Sequence, residues 1–419
     1  MAETRSNPQG DKVTGIPILD DESLTFEHPR PDVHTAVMSI AGCGWVDTGD
    51  GVVLIDTLFS QEAAKKTLDK IHEISGKIEY IIYTHGHLDH VNGCEVFMAD
   101  QPREVIANEY LPARLDKYKM LGSHRMRITV QQFYISPAEV MKRARDVVGW
   151  VYPTKTFMGQ MTISLGDKTF ELHTARAETD DACWVWIPEI KTAFVGDLVM
   201  MGFPNIGNPW KPTRFTLDWI KALEEVRAKE PELLLCNGAG FAYHGAEALA
   251  ALDAHIEAIR SLHDQVVDRI NQGMHITEMI HTVKLPPHLA DSPYLDFRYS
   301  RPEFFVFNTY RWYHGYFDGN PAHLLPRPER EVNQEIFDLI GDPQAILDRA
   351  GELFTRGQAQ LGLQVLDVLI QAEPENVAAR KLRIEMLEEL CFQDYCLMSR
   401  NTWVHFIEQD REFLRSKGE

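Results

Sequence analysis

The chain has 419 residues, enough for two or three folding units, and is 44% apolar and 25% charged. These proportions exclude disorder, collagen-like repeats and a disulfide-stapled miniprotein. With 42 Lys and Arg against 62 Asp and Glu, the net charge of −20 argues against nucleic acid or an anionic membrane as a partner. A pocket can still carry a local field of the opposite sign, so an anionic small molecule stays open.

Residues 1–30 read as a polar N-terminal extension without the apolar core of a signal peptide. No apolar run approaches the ~18–20 residues of a membrane span. The six cysteines, at 43, 94, 183, 236, 391 and 396, are scattered without a CxxC pair. Disulfides and a thiolate zinc cluster are therefore not expected, and the reading is a cytoplasmic protein.

From residue 31 the chain alternates short β-rich runs with helical stretches. Residues 34–40, 52–56 and 79–84 read as strands, and QEAAKKTLDKIHEI between the last two has helical spacing. The turn TGDG at 48–51 joins two such runs as a hairpin. Further strands are expected at 105–107, 169–174, 183–187, 192–195 and 233–236. Hairpins mixed with crossovers predict an αβ sandwich over 31–245.

Within it, residues 111–150 form an insertion with eight Lys or Arg against three acids. It reads either as a solvated face or as a lid that draws in an anion through Arg125 and Arg127. After residue 246 the pattern turns helical. AEALAALDAHIEAIRSLHDQVVDRINQG is one long amphipathic helix stopped by Gly273, and prolines 321, 326 and 328 mark a boundary. Beyond Asp342 one unit resembles the paired helices of tetratricopeptide repeats, too little for a solenoid. Its open face is expected to be buried on another subunit, so 246–419 is read as a helical dimerisation domain and the protein as a homodimer.

The strand EYIIYT runs straight into His85, Gly86, His87, Leu88, Asp89 and His90. Three imidazoles and a carboxylate so crowded after a buried strand need a cation to organise them. In a loop, His85 and His87 can face one way and Asp89 and His90 another, which suits two adjacent metal sites. Nitrogen with oxygen donors points to zinc first, then iron or manganese.

THGHLDH, with VVLIDT before it, resembles the signature of the metallo-β-lactamase superfamily. The segment from Tyr310 to Pro321, YRWYHGYFDGNP, and the helical segment from Arg349 to Leu390 are similar to the alkylsulfatases with a dimerisation domain. The resemblance covers roughly residues 30–400 and implies a metallo-β-lactamase αββα sandwich (α/β, or α+β) followed by an all-α domain. The family's sterol-carrier-like domain is not expected, since the sequence ends at 419.

Carried over residue by residue, the resemblance gives Glu178, in HTARAETDDA, as a metal ligand beside His85 and His87. Asp197, in FVGDLV, becomes the bridging carboxylate, with Asp89 and His90 at a second ion. Ala175 and Arg176 replace the proline and glycine of the family's loop. Ala239 stands where the superfamily's last histidine belongs, so the second ion loses a ligand, and His244 is the candidate substitute. His173, near the Glu178 loop, carries the same ambiguity. Asn205 matches a sulfate-recognition asparagine, but the family's arginine falls near Trp210 and Lys211, with Arg214 next. Lysine supplies a point charge where arginine offers a fork.

The resemblance thus implies a metal-dependent hydrolase that cleaves a sulfate ester or a related small organic ester. One or two zinc ions would lower the pKa of water to about 7, with Asp89 orienting that water and Asp197 holding metal. Two alternatives stay open: a one-metal lyase or C–O or C–N bond-cleaving enzyme, and a non-enzymatic dimeric scaffold with a relic site.

Overall fold

The computed structural model describes residues 23–38, 41–135, 149–236 and 240–419. Among the described residues, thirteen strands are arranged in two sheets. The first runs in chain order: β1 (Thr25–Arg30), β2 (Val33–Met38), β3 (Ala41–Asp47), β4 (Val52–Ile55), β5 (Ile78–Ile82), β6 (Glu104–Asn108) and β7 (Lys155–Phe157). The first three junctions are antiparallel and the last three parallel. The second sheet holds β8 (Gln160–Leu165), β9 (Lys168–Ala175), β10 (Ala182–Ile187), β11 (Thr192–Phe194), β12 (Leu233–Cys236) and β13 (Phe241–His244). Only β11 and β12 are parallel there.

Parallel neighbours need crossover connections. The helix Gln61–Ile74 supplies the one from β4 to β5, and the Ser60 hydroxyl caps it by accepting from the Ala63 amide at 3.2 Å. Its Ala64, Leu68 and Ile71 are buried. They join the apolar cluster on the outer face of the first sheet with Trp45, Leu54 and Leu111. A second cluster lies between the sheets, where Val53, Ile55, Ile82 and Ile106 meet Leu172, Val185, Phe194 and Leu235. A third packs the outer face of the second sheet under the helices Thr216–Ala228, Ala246–Asn271 and Pro302–Tyr313. The result is the expected αββα sandwich. All six cysteines are buried and unbridged.

This compact unit comprises the described residues between 18 and 128 and between 149 and 315, and therefore includes the long helix Ala246–Asn271. At Gly93, a Cβ would lie 2.0 Å from the Thr57 carbonyl oxygen, so the chain leaving the histidine-rich turn lies directly on the loop after β4. Only glycine permits that approach.

The second unit holds 129–135 and 316–419. Its helices are Glu329–Ile340, Pro343–Thr355, Ala359–Ala372, Val377–Gln393 and Leu397–Ser416. Asp342 and Asn376 cap two of them, accepting from the Gln344 amide at 2.9 Å and the Ala379 amide at 3.0 Å. Ile346, Leu366, Leu369 and Met386 form its core. Asp410 is fully buried between Arg380 and Arg383. No residue of Glu329–Ile340 is buried, and Val332, Ile336 and Leu339 form an exposed apolar stripe at helical spacing. Among the described residues, no helix is long and apolar enough to cross a membrane.

Candidate metal centre

Parallel strands bring their C-terminal ends to one edge, and the chemistry-bearing residues follow those ends. Asp56 follows β4, residues 84–90 follow β5, and Asp197 follows β11. The expected loop at HLDH is in fact a helical turn, Leu88–Val91, closed by the Asn92 amide donating to the Leu88 carbonyl at 3.0 Å.

Asp56 holds this turn. One carboxylate oxygen accepts from the Thr84 amide at 2.7 Å; the other meets the Thr84 hydroxyl at 2.7 Å and His90 Nδ1 at 2.8 Å. With Nδ1 taken, His90 Nε2 is left to face Asp197 Oδ1 at 3.4 Å and Asp89 Oδ2 at 3.5 Å. Asp181 steadies the other side, accepting from the Gly86 amide at 2.8 Å and from Arg114 Nε at 2.6 Å. Before Asp197, Gly196 has φ +50°, and a Cβ there would meet the Thr84 hydroxyl at 2.6 Å.

The ligand atoms of His85, His87, Glu178 and Asp197 all lie within 4.8 Å of one another. Glu178 Oε2 is 3.1 Å from His87 Nδ1 and 3.5 Å from His85 Nε2. Asp197 Oδ2 lies 3.7 Å from His85 Nε2 while its Oδ1 faces His90, so one carboxylate spans two positions.

Burial drives the imidazole of His85 well below its usual pKa, with the neighbouring His90 and His87 acting in the same direction. Burial likewise lowers His87, so both rings offer lone pairs. Burial raises the Glu178 carboxyl, but the Arg214 guanidinium and His87 outweigh it and hold it well below the carboxylate range. Burial pushes Asp197 up to about 7 despite His90 beside it. Burial lowers His90, yet Asp197, Asp89 and Asp56 together raise it well above the ordinary histidine value.

Glu178 Oε2, Asp197 Oδ1 and His90 Nε2 are buried without a hydrogen-bond partner. Buried polar atoms are almost always satisfied. Two orphaned carboxylate oxygens and an orphaned imidazole nitrogen are donors of the kind a divalent cation takes, and the four clustered residues fit one.

The other sequence candidates are placed as follows. Arg214 is buried and ion-paired with Glu178, so it supports a candidate ligand and is not free to bind substrate. Asn205 is buried with its side chain against Glu178. Trp210 and Lys211 are half-buried on the loop before Arg214. Arg125 is half-buried on the helix Gly122–Phe133, whereas Arg127 is exposed. His244 lies on β13, not in a loop. It pairs with Leu233, at the end of β12 remote from Cys236, and is exposed, which removes it as a substitute ligand. His173 stacks on Trp184 at 4.1 Å in the second sheet, away from the cluster. Ala239 and the insertion residues 136–148 lie outside the described residues.

Sequence reasoning missed Asp56, Arg114, Asp181 and Tyr299. Asp56 and Asp181 were in view, inside VVLIDT and AETDDA, but as strand and loop markers. Tyr299 comes from a distant loop. Burial raises its phenol well above the usual value, and Glu178 and Asp89 act in the same direction.

Residues 41–238 match the family model of the metallo-beta-lactamase superfamily, and residues 275–412 match that of alkyl sulfatase dimerisation. A linear primary-alkylsulfatase of Pseudomonas is 25% identical over 384 residues, covering 86% of this chain and 72% of the relative. An (R)-specific secondary-alkylsulfatase of Pseudomonas is 23% identical over 388 residues, covering 86% of this chain and 58% of the relative. The chain thus spans little more than half the length of that second relative. The solved structure of the stereoselective inverting sec-alkylsulfatase Pisa1 from Pseudomonas superposes with a TM-score of 0.81 at 21% identity. That match covers 92% of this chain and 66% of the other. Sandwich, helical region and relatives agree: the chain matches the metallo-beta-lactamase superfamily in its first part and the alkyl sulfatase dimerisation family in its second, and the likeness to alkylsulfatases supports a metal-dependent hydrolase.

Proposed function

We propose that the chain hydrolyses a sulfate ester or a related small organic ester, using zinc held by His85, His87, Glu178 and Asp197. The observation that carries this reading is the meeting of His85, His87, Glu178 and Asp197, whose ligand atoms lie within 4.8 Å of one another with the buried Glu178 Oε2 left without a hydrogen bond. A bound divalent ion supplies Lewis acidity towards the ester and an acidified water at neutral pH. The protein's part is to hold the donors. Arg214 fixes Glu178, Asp56 fixes the tautomer and direction of His90, and Asp181 fixes the loop at Gly86. Asp89, partly exposed beside His90, is placed to orient the attacking water. Asp89, His90 and Asp197 make a second, poorer position with one imidazole, since the sequence has alanine at 239 where the resembling family has a histidine.

That departure, with Arg214 committed to Glu178, favours one alternative: a one-metal enzyme that cleaves a C–O or C–N bond without sulfatase activity. Metal counts per chain, combined with turnover of alkyl sulfates against carboxylic esters, decide between the two. Two ions and sulfate release support the first reading; one ion and no sulfate release support the second.

The working form is proposed to be a homodimer in which a second copy covers Val332, Ile336 and Leu339. This stripe lies within the residues matching the dimerisation family. A monomer by light scattering at micromolar concentration would contradict that.

A further inference from the structure

The helix Pro302–Tyr313 lies along the loop that joins Asp197 to the helix Thr216–Ala228, and it does so with one face, at positions i, i+3 and i+7. Phe305 meets Phe203 edge to face, with ring centres 6.3 Å apart. Asn308 Oδ1 accepts from the Arg214 amide at 3.2 Å. A Cβ at Gly207, where φ is +130°, would lie 2.4 Å from that same oxygen, so the loop closes on Asn308 from both sides. Trp312 then meets Phe215 edge to face at 5.7 Å. The loop so held makes two ties to the segment of Glu178. Arg214 Nη1 donates to Glu178 Oε1 and, at 2.5 Å, to the Asn205 carbonyl. The Phe215 amide donates to the Ala177 carbonyl at 3.2 Å.

Asn308 is buried, and its Nδ2 has no hydrogen-bond partner. An amide with one end unanswered costs stability that an apolar side chain of the same shape would avoid. The oxygen end offsets this, because it is the acceptor for the Arg214 amide, and the Arg214 guanidinium in turn holds Glu178. We propose that Asn308 is a positioning residue for the metal centre, acting through Arg214 on Glu178. The inference rests on the reading of Glu178 as a metal ligand and on no particular ester. Arg214 occupies Oε1 of Glu178, so the aim of Oε2 towards His85 and His87 follows from where the Arg214 backbone sits. The four clustered ligands all lie within 41–238, yet this support comes from 275–412, the part that matches the dimerisation family. The sandwich sequence by itself is then an incomplete metal site.

The test is the zinc affinity of the metal-depleted full chain, read by competition with a chromophoric chelator. Asn308→Leu, Arg214→Met, the double variant and the control Phe307→Ala, an exposed residue of the same helix, are compared with the wild type. Affinity should fall about tenfold in Asn308→Leu and about 10–100-fold in Arg214→Met, and hold within about twofold in the control. The double variant should lose no more than Arg214→Met does, because Asn308 then has nothing left to act through; a general loosening of the fold would add the two losses. Asn308→Asp, which keeps the accepting oxygen, should recover most of the affinity. Unchanged affinity in folded Asn308→Leu overturns the inference, as do additive losses in the double variant or an equal loss in Phe307→Ala. If Asn308→Leu does not fold, Asn308→Ala, which removes the same oxygen without bulk, carries the same cycle. No zinc binding by the wild type overturns the metal-site reading and the inference with it, whereas wild-type binding that is indifferent to residue 308 removes the inference alone.

Discussion

Asp410 in the helical unit and Asp197 in the sandwich are both buried aspartates, yet their surroundings differ. Asp410 receives Arg383 Nε at 2.6 Å on one oxygen and Arg380 Nη1 at 2.5 Å on the other, so its charge is fully answered. Asp197 has one oxygen without any hydrogen bond, faces His85 and His90, and has its pKa pushed up to about 7. The first arrangement is complete as folded and has nothing left to bind. The second holds strain of an electrostatic kind that an added cation relieves. Burial alone therefore does not mark a functional carboxylate; an unanswered oxygen does.

The comparison can be broken at either end. Replacing His85 and His87 together by Ala should strip metal and lower turnover by on the order of 10³ or more; full metal by elemental analysis sinks the assignment. Asp410→Ala should cost about 3–5 kcal/mol in denaturant unfolding, by leaving two arginines unpaired, while the folded fraction keeps its metal. If Asp410→Ala instead empties the metal site, the two carboxylates are not independent.

Asp56→Ala sharpens the contrast further, because it frees the candidate ligand His90 while leaving every candidate ligand in the sequence. Metal affinity should drop by about 10–100-fold, and a competition assay with a chelator reads it directly. The pH dependence is gentler. Asp197 holds its proton more tightly folded than unfolded, so its stabilising effect on the metal-free chain is present below about pH 4 and is lost as pH rises towards 7. Metal needs the ionised form, so affinity should rise by up to about tenfold per unit across that interval and then level off. A flat profile would mean that Asp197 is not a ligand. Smallest of all, Arg127→Glu should change KM by less than about twofold, since that side chain is exposed to screening solvent.

What the sequence made legible was local. His85, His87, Asp89 and His90 lie within six residues, so one stretch of chain announces a metal site without help from the fold. The all-buried β4 and the long amphipathic helix Ala246–Asn271 were equally readable, because apolar periodicity is a property of neighbours. Glu178 and Asp197 were reached through family resemblance, since nothing in their immediate surroundings distinguishes them from turn acids. The pairing of Arg214 with Glu178 was not legible. The two are 36 positions apart, and the choice between binding substrate and steadying a ligand depends on a loop path that periodicity does not encode. His244 was misread for a related reason: the sequence shows how few residues separate it from Ala239, but not that the chain reverses into β13 and carries it away.

Gly93 has a bearing on which ions can enter. The chain just past the helical turn that carries Asp89 and His90 lies against Thr57 with no room for even one methyl group, and the Gly93 amide donates to the Leu58 carbonyl at 3.0 Å. Braced there, and tied through Asp56 at its other end, the turn cannot back away to lengthen its bonds. It behaves as a mould of fixed gauge. With two imidazoles among its four candidate ligands, the frame offers few of the six to eight oxygens that a calcium ion asks for.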